Sequence, residues 1–72
     1  MNIQLQANTM VEGDVTPVTM SEATFFSLYQ GEPGNYDWVA DFDTYDLARY
    51  VGWTMANYYQ CDYVENIPGE RA

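Results

Sequence analysis

Residues 24–42 read TFFSLYQGEPGNYDWVADF, and the way this stretch folds decides the architecture of the chain. Thr24–Gln30 is rich in Phe and Tyr, residue types that suit a pleated, half-buried surface. Gly31-Glu32-Pro33-Gly34-Asn35 follows, a turn cluster of hairpin length. Beyond it, Tyr36–Phe42 alternates, with Tyr36, Trp38, Ala40 and Phe42 on one face and Asp37, Val39 and Asp41 on the other. A competing signal lies just upstream, where Thr19-Met20-Ser21-Glu22 matches a helix capping box and would start a helix ending before Gly31. The turn cluster and the strand-type composition favour a hairpin.

Working outward, Asn2–Asn8 also has period two, with Ile3, Leu5 and Ala7 on one side and Gln4 and Gln6 on the other, which predicts a half-buried strand. Thr9–Pro17 reads as a polar connection containing the turn-type cluster Glu12-Gly13-Asp14. On the other side of the hairpin, Asp43 or Thr44 caps a helix that stops near Gln60. Leu47, Val51, Met55 and Tyr58, with Ala48 beside them, form its expected apolar stripe, while Asp46, Arg49, Trp53 and Asn57 lie opposite with Tyr50 at the edge. Gly52 weakens such a helix by about 1 kcal/mol unless a close contact requires it. Tyr63–Ile67 reads as a last strand and Pro68–Ala72 as a frayed tail. The expected fold is a single α+β domain over residues 1–72, a small two-layer unit. It has an antiparallel sheet of three to four strands with one amphipathic helix packed on one face, in the order β-β-β-α-β. Asp37, Val39 and Asp41 are expected on the open sheet face.

Composition narrows the function. The chain has 72 residues, with seven Tyr, three Phe and two Trp, so a thin aromatic core is expected rather than disorder. Of these aromatics, most of Phe25, Phe26, Trp38, Phe42 and Tyr58 are expected in the core. Eleven acidic residues stand against two basic ones, Arg49 and Arg71, for a net charge of −9. Phosphate backbones and anionic membrane surfaces are bound with Lys and Arg, so no direct nucleic acid and no membrane partner is expected. A basic protein surface or a cation is what this field attracts. One cysteine, Cys61, excludes an internal disulfide. With no basic leader and no long apolar run, the expected compartment is the cytoplasm.

Reactive chemistry is hard to find. Histidine is absent, which removes the commonest general base, the histidine-containing triads and the commonest zinc ligand. Cys61 is followed by Asp62 rather than a base that would lower its pKa. Asp41-Phe42-Asp43-Thr44-Tyr45-Asp46 opens like a calcium loop, but Asp46 stands where Gly is needed and Gly52 where a bidentate Glu is needed. The bland reading of this cluster puts Asp43 at the helix cap, Phe42 in the core and Asp41 in water, with weak divalent-cation binding over 41–46 as its rival. The glycines have neither P-loop spacing nor the Lys that should follow, and the chain is short for a walled substrate cleft. Neither an enzyme nor a bound cofactor is expected.

Trp53 is the exception among the aromatics, because on the helical wheel it points away from the apolar stripe and beside Asp46, Arg49 and Tyr50. Trp and Tyr anchor interface hot spots, and acidic residues around them steer a basic partner. A homodimer seam is the competing explanation. At the level of size, charge and architecture, with Ala40-Asp41-Phe42-Asp43-Thr44 as a strand-to-helix junction, the chain resembles small acidic phage and mobile-element anti-defence proteins, of the anti-CRISPR or antirestriction DNA-mimic type. That resemblance implies an inhibitor that fills a basic nucleic-acid channel, with carboxylates standing in for phosphates. The expected partner-binding residues are Asp37, Asp41, Asp43, Asp46, Tyr50, Trp53, Asp62 and Glu65. The readings from other classes are an acidic adaptor that binds a basic host protein without mimicry and a homo-oligomeric structural subunit.

Overall fold

The central element of the computed structural model, which describes residues 1–69, is a ten-residue strand, β1 (Asn2–Val11). Its alternation is the expected one, with Ile3, Leu5 and Ala7 fully buried. It runs three residues further than expected because Glu12-Gly13 turns the chain straight back into β2 (Asp14–Pro17), pairing Val11 with Asp14. Both turn residues have positive φ, 49° at Glu12 and 85° at Gly13, the combination that matches hairpin twist. The connection expected over Thr9–Pro17 is therefore largely a second hairpin.

Met20–Glu22 forms only a single 3₁₀ turn, in which the Thr19 hydroxyl donates to Glu22 Oε1 at 2.8 Å, so the capping-box residues meet without starting an α-helix. Thr24 N–H then donates to the Asn8 carbonyl, and the chain enters β3 (Phe25–Glu32), which pairs antiparallel with β1. Pro33-Gly34 turns it into β4 (Asn35–Phe42), the favoured hairpin. After helix α1 (Tyr45–Tyr59), β5 (Asp62–Glu65) lies parallel to the first half of β1. The sheet runs β4-β3-β1, and the far edge of β1 is shared by β5 along Asn2–Leu5 and β2 along Asn8–Val11. The fold is the small α+β domain expected, with five strands and the order β-β-β-β-α-β. Of the tail expected over 68–72, Pro68 and Gly69 form a turn, and Glu70, Arg71 and Ala72 lie outside the described residues.

Two details differ from the sequence reading and matter for function. First, β4 is bulged: Leu28 pairs with Ala40 but Tyr29 pairs with Trp38, leaving Val39 as the extra residue. Such an insertion reverses the inward and outward sense of everything before it. Trp38 and Asp41 therefore share the open face, in register with Tyr29 and Ser27, while Val39 packs toward the core and Asp37 moves to the helix side opposite Gln30. The open face is not the Asp37, Val39 and Asp41 row that simple alternation implies.

Second, α1 presents a different stripe. Thr44 is the N-cap, accepting from Leu47 N–H at 3.3 Å, and Asp43 only precedes it. The buried line is Ala48, Gly52 and Ala56, flanked by Tyr45, Val51 and Met55, while Leu47 and Tyr58 are exposed. Relative to the expected stripe, the helix is turned by about one residue's step of 100°. The cause is steric. The sheet beneath is filled by Ile3, Leu5, Phe26 and Leu28, and the helix comes so close that a Cβ at Gly52 would stand 2.9 Å from Leu28 Cδ2 and 2.9 Å from Tyr63 Cε1.

Gly52→Ala tests this contact. Overpacking costs about 1–3 kcal/mol and the propensity gain returns about 1, so denaturant unfolding should show a net loss of about 1 kcal/mol. A stabilised variant would mean that the helix is not held against Leu28 and Tyr63.

Candidate functional site

With small residues on its inner line and Tyr45, Val51 and Met55 at its margins, α1 leaves its other large residues no place in the core. Leu47, Tyr50, Trp53 and Tyr58 are all at least half exposed, Trp53 at 58% and Tyr50 at 68%. Asp46, Tyr50 and Trp53 follow one another at spacings of four and three, so they share one flank of the helix, and Asp46 sits in its first turn, where negative charge suits the dipole. The rings of Tyr58 and Tyr59 stack edge to face at 5.0 Å near the helix C-terminus. Tyr58, expected in the core, is 80% exposed because the helix is turned. This flank holds three of the expected partner-binding residues, and Asp43 lies exposed just before it.

The open face of the sheet carries the other cluster. Asn8 Nδ2 donates to Ser27 Oγ at 2.9 Å, and Ser27 Oγ donates to Asp41 Oδ1 at 2.6 Å. The Trp38 indole N–H donates to the same oxygen at 2.9 Å. The chain of donors crosses β1, β3 and β4 in one direction, ending on a carboxylate. Asn8 and Ser27 are buried, while Asp41 is exposed and Trp38, expected in the core, is 61% exposed. Asp41 is therefore a fixed, hydrogen-bonded group rather than a freely solvated one. Asn8 Oδ1 is the one buried side-chain acceptor without a partner among the described residues.

The remaining expected residues are dispersed. Asp62 opens β5 beside Asn2, and Asp37 lies exposed on the helix side of β4. Glu65 works within the fold: its Oε2 accepts from Tyr45 at 2.7 Å and from Tyr63 at 2.6 Å, tying β5 to the start of α1. Tyr45 in turn meets Phe26 edge to face at 5.9 Å. Among the described residues no three metal-binding side chains converge. In the stretch 41–46, Asp41 is turned onto the sheet face and Asp46 onto the helix. Cys61 is half-buried at the end of α1, its N–H donating to the Ala56 carbonyl at 2.9 Å. Among the described residues no helix is long and apolar enough to cross a membrane. Sequence reasoning missed this use of Trp38, Ser27 and Asn8, because only the strand pairing brings the three together. Comparison of the chain with family models, with curated proteins and with solved structures gives no match.

The Glu65 latch has a pH signature. Burial pushes the Tyr63 hydroxyl pKa up, and the hydrogen bond to Glu65 and the Glu65 charge push it further. The folded protein thus holds this proton more tightly than the unfolded chain does. Its contribution to stability is complete below the ordinary tyrosine pKa of about 10 and is lost as pH rises above it. Denaturant midpoints followed from about pH 8 to about pH 11 should fall, and Tyr63→Phe should flatten that fall relative to the parent. Identical profiles would show that Tyr63 is not held in this way.

Proposed function

We propose that the protein is a non-catalytic inhibitor that docks on a basic, nucleic-acid-binding surface of another protein and keeps nucleic acid off it. The observation that carries this reading is the flank of α1 on which Tyr50 and Trp53 stand open beside Asp46. Aromatic side chains in that position supply contact area, and a protein with net charge −9 is drawn toward a surface of Lys and Arg. Each half of this argument needs the other. Charge alone would give weak, salt-sensitive association, and exposed aromatics alone would not choose a basic target.

The resemblance to small acidic anti-defence proteins names the first targets: CRISPR effector complexes, whose guide and target lie in positively charged channels, and other nucleic-acid-binding defence complexes. Such a target places the protein in a host cytoplasm. In this reading the carboxylates of Asp43 and Asp46 take the part of phosphates, and Trp53 and Tyr50 anchor the contact.

The test is target-DNA binding by purified effector–guide complexes and basic nucleases, measured by mobility shift at two salt concentrations with and without the protein. One target should lose DNA binding, less so at the higher salt. Trp53→Ala should raise the concentration needed by about tenfold or more, as truncation of a hot-spot aromatic does. Complex formation that leaves DNA bound would contradict the proposal and favour an adaptor that binds without mimicry.

A further inference from the structure

Resting on the reading that the partner is basic, we infer that the open sheet face contains a seat for a single arginine side chain, formed by Trp38, Asp41 and Tyr29. This seat is on the opposite side of the sheet from α1, so it is distinct from the Tyr50 and Trp53 flank.

The argument starts from the bulge at Val39. In a regular strand, residues 38 and 41 would point to opposite faces, and the extra residue brings the indole and the carboxylate together. Asp41 Oδ1 is occupied by the Ser27 hydroxyl and the Trp38 indole N–H, which fix the carboxylate plane. Its Oδ2 takes no donor among the described residues, so a strong acceptor with fixed orientation is left at an exposed position. The same hydrogen bond holds the Trp38 ring, 61% exposed, beside that acceptor. Tyr29, its register partner on β3, lies next to it on the same face.

A fixed carboxylate at the N–H edge of an exposed indole is what a guanidinium group matches. Its plane stacks on the indole while its N–H groups reach the free oxygen. Lysine, a compact and strongly hydrated charge, matches the carboxylate but gains less from the ring. The ordering cost of the seat has already been met within the fold, since buried Asn8 and Ser27 hold Asp41 from behind. Asn8 Oδ1, without a partner among the described residues, leaves this network one donor short of full satisfaction. Charge complementarity selects the occupant, because eleven acidic residues against two basic ones leave few groups in the chain itself to fill the seat.

The chain has two tryptophans, so the two indole N–H signals in a nitrogen-15 correlation spectrum report separately on the sheet face and the helix flank. The labelled full chain would be titrated at low salt with the peptide acetyl-Gly-Arg-Gly-Arg-Gly-amide and with its lysine counterpart. The arginine peptide should shift the Trp38 indole and Asp41 amide signals saturably, and the lysine peptide should bind more weakly. Asp41→Asn keeps the acceptor for Ser27 and Trp38 but removes the charge, and should weaken the arginine peptide about fivefold with the spectrum otherwise intact. Trp38→Ala, at an exposed position, should weaken it to a similar extent. Shifts confined to Trp53, unchanged affinity in both variants, or no saturable binding would each overturn the seat. None of these outcomes touches the inhibitor proposal, which stands or falls on DNA displacement and on Trp53.

Discussion

The structure depends on how closely one helix approaches its sheet. At Gly52 the backbone of α1 comes so near to Leu28 and Tyr63 that even a Cβ would stand 2.9 Å from each of them. Ala48 and Ala56, one turn to either side, keep the same line low. A close approach lets a thin domain exclude water from Leu5 and Leu28 with few residues, which matters in a chain this short. It also decides what happens to the larger residues of the helix. With the inner line reserved for Ala and Gly, Leu47, Tyr50, Trp53 and Tyr58 must face outward. The exposed aromatic flank is thus a consequence of how the core is packed.

Much of the fold was legible, and the failures share a cause. The β3–β4 hairpin could be read because Pro33-Gly34 has strong local turn chemistry, and the ends of α1 because Thr44 and Gln60 mark them within a residue or two. The β1–β2 hairpin was missed because its turn places Glu12, not Asn or Asp, at positive φ, so the local signal was weak. The helix was read one step out of phase because a wheel weights large apolar residues and gives little to Gly and Ala, yet small residues made the contact. The bulge at Val39 has no signature in a run such as Asp37-Trp38-Val39-Ala40-Asp41. Only pairing with β3 reveals it, and pairing is a long-range property.

The candidate site divides along the same lines. Trp53 and Tyr50 lie away from the contact line in either rotation of the helix, so their exposure could be read from spacing alone. Trp38 could not, because the bulge moved it to the open face. Of the acidic residues expected to act together, Asp46 stays with the aromatic flank, Asp41 joins the polar network across β1, β3 and β4, and Glu65 is used by two tyrosines as an internal latch. The negative charge is therefore not one surface. It is distributed over both faces of the sheet, with Asp41 on the open face and Asp37 and Asp46 on the helix side.

The central claim is that the outward aromatics serve a partner of a different kind and not a second copy of this chain. Sedimentation velocity at low micromolar concentration and physiological salt tests it directly. A single 8.3 kDa species is expected, with Trp38 and Trp53 left exposed in the free protein. A stable dimer under those conditions would contradict the claim, because the flank of α1 would then be the seam of an oligomer.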